Sequence, residues 1–209
     1  MGDYSVVGNA SLDTEHLITK GSPVSDPLRF LAVPDKHNLV LRSSSALHFT
    51  HGASVLKPGI YHGGIEVSGK AAVTLEPGVY YLDGGGFRYS GQATLTAESV
   101  LLYNDPLQTQ DGIQITGQGS VTLGPLTSGP YQGIAVFQRR NANSVIRLTG
   151  QSRYTARGMF YAAGAPVDIV GQADATIASQ FISRTLVVHG NAVINVEWEP
   201  NLAPLGCPQ

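Results

Sequence analysis

The sequence predicts an all-β protein, a right-handed parallel β-helix (β-solenoid) with an irregular N-terminal cap, and three observations carry that prediction. The first is a repeat. Gly69-Lys-Ala-Ala-Val-Thr-Leu75 returns as Gly8-Asn-Ala-Ser-Leu-Asp-Thr14, Gly91-Gln-Ala-Thr-Leu-Thr-Ala97 and Gly117-Gln-Gly-Ser-Val-Thr-Leu123. It returns again as Gly150-Gln-Ser-Arg-Tyr-Thr-Ala156, Gly171-Gln-Ala-Asp-Ala-Thr-Ile177 and Gly190-Asn-Ala-Val-Ile-Asn-Val196, with a looser copy at Gly52-Ala-Ser-Val-Leu56. The second is alternation: four and two places before each glycine stand apolar pairs such as Ile65 and Val67, Phe87 and Tyr89, or Ile113 and Ile115. Period-two apolar runs on both sides of a glycine read as strand, corner, strand with one buried face. The third is spacing. Corner glycines at 52, 69, 91, 117, 150, 171 and 190 stand 17 to 33 residues apart with no helical pattern between them. Such periods belong to solenoids, in which each coil buries its apolar face only against its neighbours. A β-sandwich also has many short strands, but it does not call for one corner formula to return.

The elements follow in order. Residues 3–14 read as a strand pair around Gly8. Residues 15–38 lose the alternation at Gly21-Ser-Pro23, Asp26-Pro27 and Pro34-Asp35, and they are expected to cap one end through Leu28, Phe30, Leu31 and Val33. Alternation resumes from Asn38, and Lys57-Pro-Gly-Ile-Tyr61 echoes as Glu76-Pro-Gly-Val-Tyr80, a proline-glycine turn. That echo predicts Ile60 stacked on Val79 and Tyr61 on Tyr80. Residues 104–112 and 124–133 are loops by composition, and Gly133-Ile-Ala-Val-Phe-Gln138 and Gly158-Met-Phe-Tyr-Ala-Ala163 are buried strands. The expected count is about seven to nine coils, in one domain over 1–209 with a C-terminal tail at 197–209.

Thirteen basic against fifteen acidic residues give a net charge of −2, which offers no electrostatic case for nucleic acid. No run is long enough to insert in a membrane and no signal peptide is evident. The lone Cys207 has no internal disulfide partner or second thiol.

Several of these stretches resemble the secreted β-helical region of TadG-like (Tad/Flp pilus-assembly-related) bacterial proteins, a domain of largely unknown function. The stretches are Asp26-Pro27, Leu75-Glu-Pro-Gly-Val-Tyr-Tyr-Leu-Asp-Gly-Gly85, Gly129-Pro-Tyr-Gln-Gly-Ile-Ala-Val-Phe-Gln138, Gly158-Met-Phe-Tyr-Ala162 and Val188-His-Gly-Asn-Ala-Val-Ile194. The resemblance implies export and an extracellular or cell-surface setting with surface polysaccharide or other surface proteins as partners. It supplies no catalytic residues.

Carboxylates, histidines and hydroxyls are the side chains that could carry chemistry. Glycosidic cleavage wants two carboxylates roughly 5–10 Å apart, and Asp83, Glu98, Asp105 and Asp111 sit at different phases from the corners, so they do not predict one acidic ladder. Asp83 and Asp111 remain the candidate ligand-binding carboxylates, Asp83 also being expected to cap its own Gly84-Gly-Gly86 loop. Asp174 and Arg153 are expected to form a cross-coil ion pair. Six histidines show no ligand spacing with a supporting carboxylate, so neither metal nor cofactor is expected. The most regular outward feature is a threonine rank five residues after the corner glycine, Thr74, Thr96, Thr122, Thr155 and Thr176, beside Gln92, Gln118, Gln151 and Gln172. The expectation is a non-catalytic exported structural or adhesive module. A polysaccharide lyase or hydrolase and an ice-binding solenoid are the alternatives.

Overall fold

Apolar residues at every second position give the chain flat, one-sided strands, and positive-φ glycines turn it between them. The computed structural model describes residues 4–7, 25–150, 154–171, 175–177, 180–190 and 194–195. After β1 (Tyr4–Val7) the chain winds three strands per coil. The first coil holds β2 (Leu41–Ser43), β3 (Leu47–Phe49) and β4 (Ala53–Leu56), and the second β5 (Gly59–His62), β6 (Ile65–Val67) and β7 (Ala72–Leu75). The third holds β8 (Gly78–Asp83), β9 (Phe87–Tyr89) and β10 (Thr94–Ala97), and the fourth β11 (Val100–Asp105), β12 (Ile113–Ile115) and β13 (Ser120–Leu123). The fifth holds β14 (Ile134–Gln138), β15 (Ile146–Gly150) and β16 (Tyr154–Ala156). Beyond it the first two strands of each coil merge, giving β17 (Met159–Gly171) with β18 (Ala175–Ile177) and β19 (Gln180–Gly190) with β20 (Ile194–Asn195).

Every pairing among the described residues is parallel, so the fold is the expected parallel β-solenoid. The third wall is a seven-stranded sheet from β4 to β20, and the solenoid makes about 6 turns. Counted as coils, the described residues hold seven, one for each strand of the third wall, at the lower end of the expected seven to nine. The loop-bearing stretches between Gly91, Gly117 and Gly150 are single coils, and the Gly8 repeat itself lies outside the described residues. The strand before it, β1, pairs with the last coil, Tyr4 beside Leu186 and Val7 beside His189, the residues just ahead of Gly8 and Gly190.

The apolar pairs before each corner form the stacks expected of them. Ile65, Phe87, Ile113, Ile146 and Val167 lie in one register column, and Val67, Tyr89, Ile115, Leu148 and Ile169 in the next. All ten side chains are buried. Val73, Leu95, Val121 and Tyr154 meet them from the third wall. Each fully buried side chain of this size contributes about 1.5–3 kcal/mol. The tiny residues after the corners, Ala71 and Ala93, are buried where the bend leaves least room.

The first wall differs because both of its faces are covered, which explains its near-continuous apolar strands. Its outward side carries Ile60, Tyr81, Tyr103, Phe137, Tyr161 and Ile182 in one column. Neighbouring rings from Tyr81 to Tyr161 lie 4.8–5.5 Å apart. The irregular N-terminal segment, described from residue 25, packs along this wall. Leu28 is buried in the cluster with Phe137 and Tyr161, while Phe30 is 85% and Val33 43% exposed, so those two do not supply the expected apolar contacts. Arg140 locks the segment: its Nη2 donates to the carbonyls of Leu28 and Leu31 at 2.5 and 2.6 Å, and its guanidinium lies over both the Phe137 and Tyr161 rings. Tyr161 adds a hydroxyl bond to Asp26 at 2.6 Å.

The Pro-Gly echo is a local motif and not the vertical register. Ile60 pairs with Tyr81 and Tyr61 with Leu82, two residues beyond the expected partners. What repeats is a turn closed by its own tyrosine, Tyr61 donating to the Lys57 carbonyl and Tyr80 to that of Glu76, at 2.6 and 2.9 Å. The two rings still stack at 5.7 Å.

Candidate functional site

The third wall is one-sided, so alternation alone sets its outer surface. Thr74 pairs with Thr96, Thr96 with Thr122, Thr122 with Thr155 and Thr155 with Thr176, so the rank read from the sequence is a true ladder. Val55 lies below it and Asn195 above. Beside it runs a second row, Ala53, Ala72, Thr94 and Ser120, which the single-rank reading missed although Thr94-Leu-Thr96 displays it. Strand geometry sets the rungs about 4.8 Å apart and the two rows about 7 Å apart. Thr74 and Thr96 are exposed, Thr122 and Thr155 half-exposed. The face is flat, small in side chain and free of charge within the two rows. Its inward residue Val121 is 2% exposed beside half-exposed Thr122, which fixes the register. Of the flanking amides, Gln92 and Gln118 are exposed and hold the corner through backbone bonds to the Gly69 and Gly91 carbonyls. Gln151, Gln172 and the expected Asp174–Arg153 pair lie outside the described residues.

The acids are used elsewhere and separately. Asp83 sits 3.1 Å from His62 Nδ1 and 3.6 Å from Lys36 Nζ, so its carboxylate holds the neighbouring coil and the N-terminal segment instead of its own glycine loop. Asp105 is its direct cross-strand partner, a neighbour hidden from corner counting because the 104–112 loop intervenes before Gly117. Asp105 meets Arg139 at 2.8 Å and accepts the Tyr81 hydroxyl at 2.6 Å. Asp111, 7% exposed, turns inward on its own loop and accepts the Leu107 and Gln108 backbone N–H groups. The structure therefore pairs Asp83 with Asp105, not with Asp111. Glu98 faces Arg157 at 3.3 Å, and Asp168 takes Arg147 and His189 at 2.9 and 3.4 Å.

Sequence reasoning also missed a buried amide ladder. Asn104 donates to Gln138 Oε1 and to the Asp111 carbonyl, and Gln138 donates to the Ser144 carbonyl, which ties both loops into the fourth and fifth coils. Polar residues at inward strand positions were the available signal.

His48 bonds Glu66 and His51 bonds Thr50. Among the described residues no three His, Cys, Asp or Glu side chains gather where they could hold a metal ion, and no helix is long and apolar enough to cross a membrane. A shallow dent beside Leu47, Glu66, Gly85 and Arg88 has room for about one water. No protein-family model, curated protein or solved structure matches the chain.

Proposed function

We propose that the protein is a non-catalytic exported module that adheres to an extended surface ligand through the third wall. The observation that carries this reading is the in-register, uncharged, hydroxyl-bearing face. A flat face of this kind suits a repeating ligand that it can follow across several rungs. Surface polysaccharide is the partner class that fits, and the resemblance to TadG-like β-helical proteins supports an exported, cell-surface or pilus-associated setting. The enzymatic alternative gains little, because Asp83 and Asp105 are each engaged by basic side chains, Lys36 and His62 on one and Arg139 on the other.

One observation favours a second reading, ice binding: five threonines in register on successive coils, with Thr94 and Ser120 starting a parallel row. The test is a polysaccharide array with and without calcium, product analysis of any hit, and a thermal-hysteresis measurement. Binding without cleavage that is lost in Thr96→Lys supports the adhesive reading. Cleavage overturns it in favour of an enzyme, and hysteresis without glycan binding overturns it in favour of ice.

A further inference from the structure

The two ends of the solenoid are treated differently by the chain. At the last coil, one stretch of the edge is taken by β1, brought from the far end of the sequence and paired in register with β19. Among the described residues, β2, β3 and β4 at the first coil are each the terminal strand of their wall with a single neighbour. The N-terminal segment enters this coil from the flank, with Phe30 and Val33 in solvent. The packing records the difference. Leu47, Phe49 and Leu56 occupy the same columns as Ile65, Val67 and Leu75, yet they are only partly buried, whereas the latter are 0–2% exposed. Val40, Leu41 and Val55 are 53–62% exposed on the same coil. One further rung would bury Leu47, Phe49 and Leu56 as their columns are buried at the next coil, and open parallel edges with apolar side chains are what proteins otherwise cover.

We infer that the first coil is a self-association surface, occupied by the first coil of a second copy in a closed two-fold dimer. Three features favour this occupant. The contact continues the stacking that already joins coil to coil, with strands now antiparallel across the dyad, a pairing as sound as the parallel one. Residues 39–56 number close to the 20–30 per side of a standard stable interface. The coil has Arg42, His48 and His51 but no acid, and two of those side chains lean away from the edge: Arg42 Nε donates to the Pro58 carbonyl and His48 meets Glu66, both on the second coil. Like charges are thereby kept off the dyad. A head-to-tail stack fits worse, because β1 already takes part of the far-end edge that the first coil would have to meet. Closed dyads are also the commonest soluble assembly.

Sedimentation equilibrium of the full 209-residue chain tests this. The expected species has twice the 22.0 kDa chain mass. Val40→Lys and Leu41→Lys alter exposed side chains, so both should keep the wild-type circular dichroism and melting temperature while sedimenting as monomers. A wild-type monomer at every concentration overturns the inference and assigns the edge to the chain itself or to solvent. Open-ended growth overturns it in favour of head-to-tail stacking. A dimer that survives both substitutions but is broken by Thr96→Lys overturns it by moving the interface to the third wall.

Discussion

At the scale of single residues, the sharpest demand falls on glycines where coils touch. Gly85 has φ +72° and an added Cβ would sit inside contact distance of the Gly63 carbonyl on the coil below. Gly52 has the similar φ of +75° but nothing within 4 Å of the same position. Comparing them separates conformational strain from steric contact. Gly52→Ala should cost about 1–2 kcal/mol, the penalty of a left-handed conformation. Gly85→Ala carries that penalty and must also push neighbouring coils apart, so its cost should rise by a further ~1–3 kcal/mol. Urea denaturation of the two variants gives both numbers. Equal losses would show that the coils do not approach at Gly85 as closely as described. The sequence marked Gly84-Gly-Gly86 as a turn, because glycine runs do so anywhere. It could not show that this turn rests on Gly63-Gly64, since that contact depends on where the flanking loops leave the register.

At the scale of elements, what was legible was whatever alternates. The column from Ile65 to Val167 and the threonine ladder both follow from period two and the corner glycine, and both stand where the repeat puts them. The N-terminal segment has no period, so its composition announced an irregular element but not its place. That place is set by Arg140, more than a hundred residues away in a polar turn whose sequence reads as ordinary loop. The same segment hides the fact that Tyr81, Tyr103, Phe137 and Tyr161 point outward and are still buried. Arg140→Ala removes both carbonyl bonds and the cation over two rings, at a cost of about 1.5–3 kcal/mol for bonds from a charged donor. Limited proteolysis should then cut within 25–39 faster than in the parent protein, with the solenoid surviving. Arg140→Lys keeps the charge but not the planar fork, and should restore only some of the protection. Unchanged cleavage in both variants would mean that Leu28 alone holds the segment.

At the scale of the whole molecule, the buried tyrosines make stability depend on pH in one direction. Desolvation raises the phenols of Tyr61, Tyr80, Tyr81, Tyr154 and Tyr161, and pushes those of Tyr89 and Tyr103 up to about 12. Tyr81 and Tyr161 are raised further by donating to Asp105 and Asp26, carboxylates that a phenolate would face as like charges. The unfolded chain loses these protons near pH 10. Between that pH and about 12 the folded state therefore binds more protons than the unfolded state. Stability contributed by the protonated rings is complete below pH 10 and is lost as pH rises through the folded values. Because these tyrosines span the inner columns and the covered flank from the second coil to the sixth, no single wall can release them alone. Alkaline titration should show phenolate absorbance rising together with loss of the β-sheet circular dichroism signal, in one step above pH 10. Phenolate appearing while the β signal is intact would mean that these rings reach solvent in the folded chain, and the packing of the flank under its N-terminal cover would have to be redrawn.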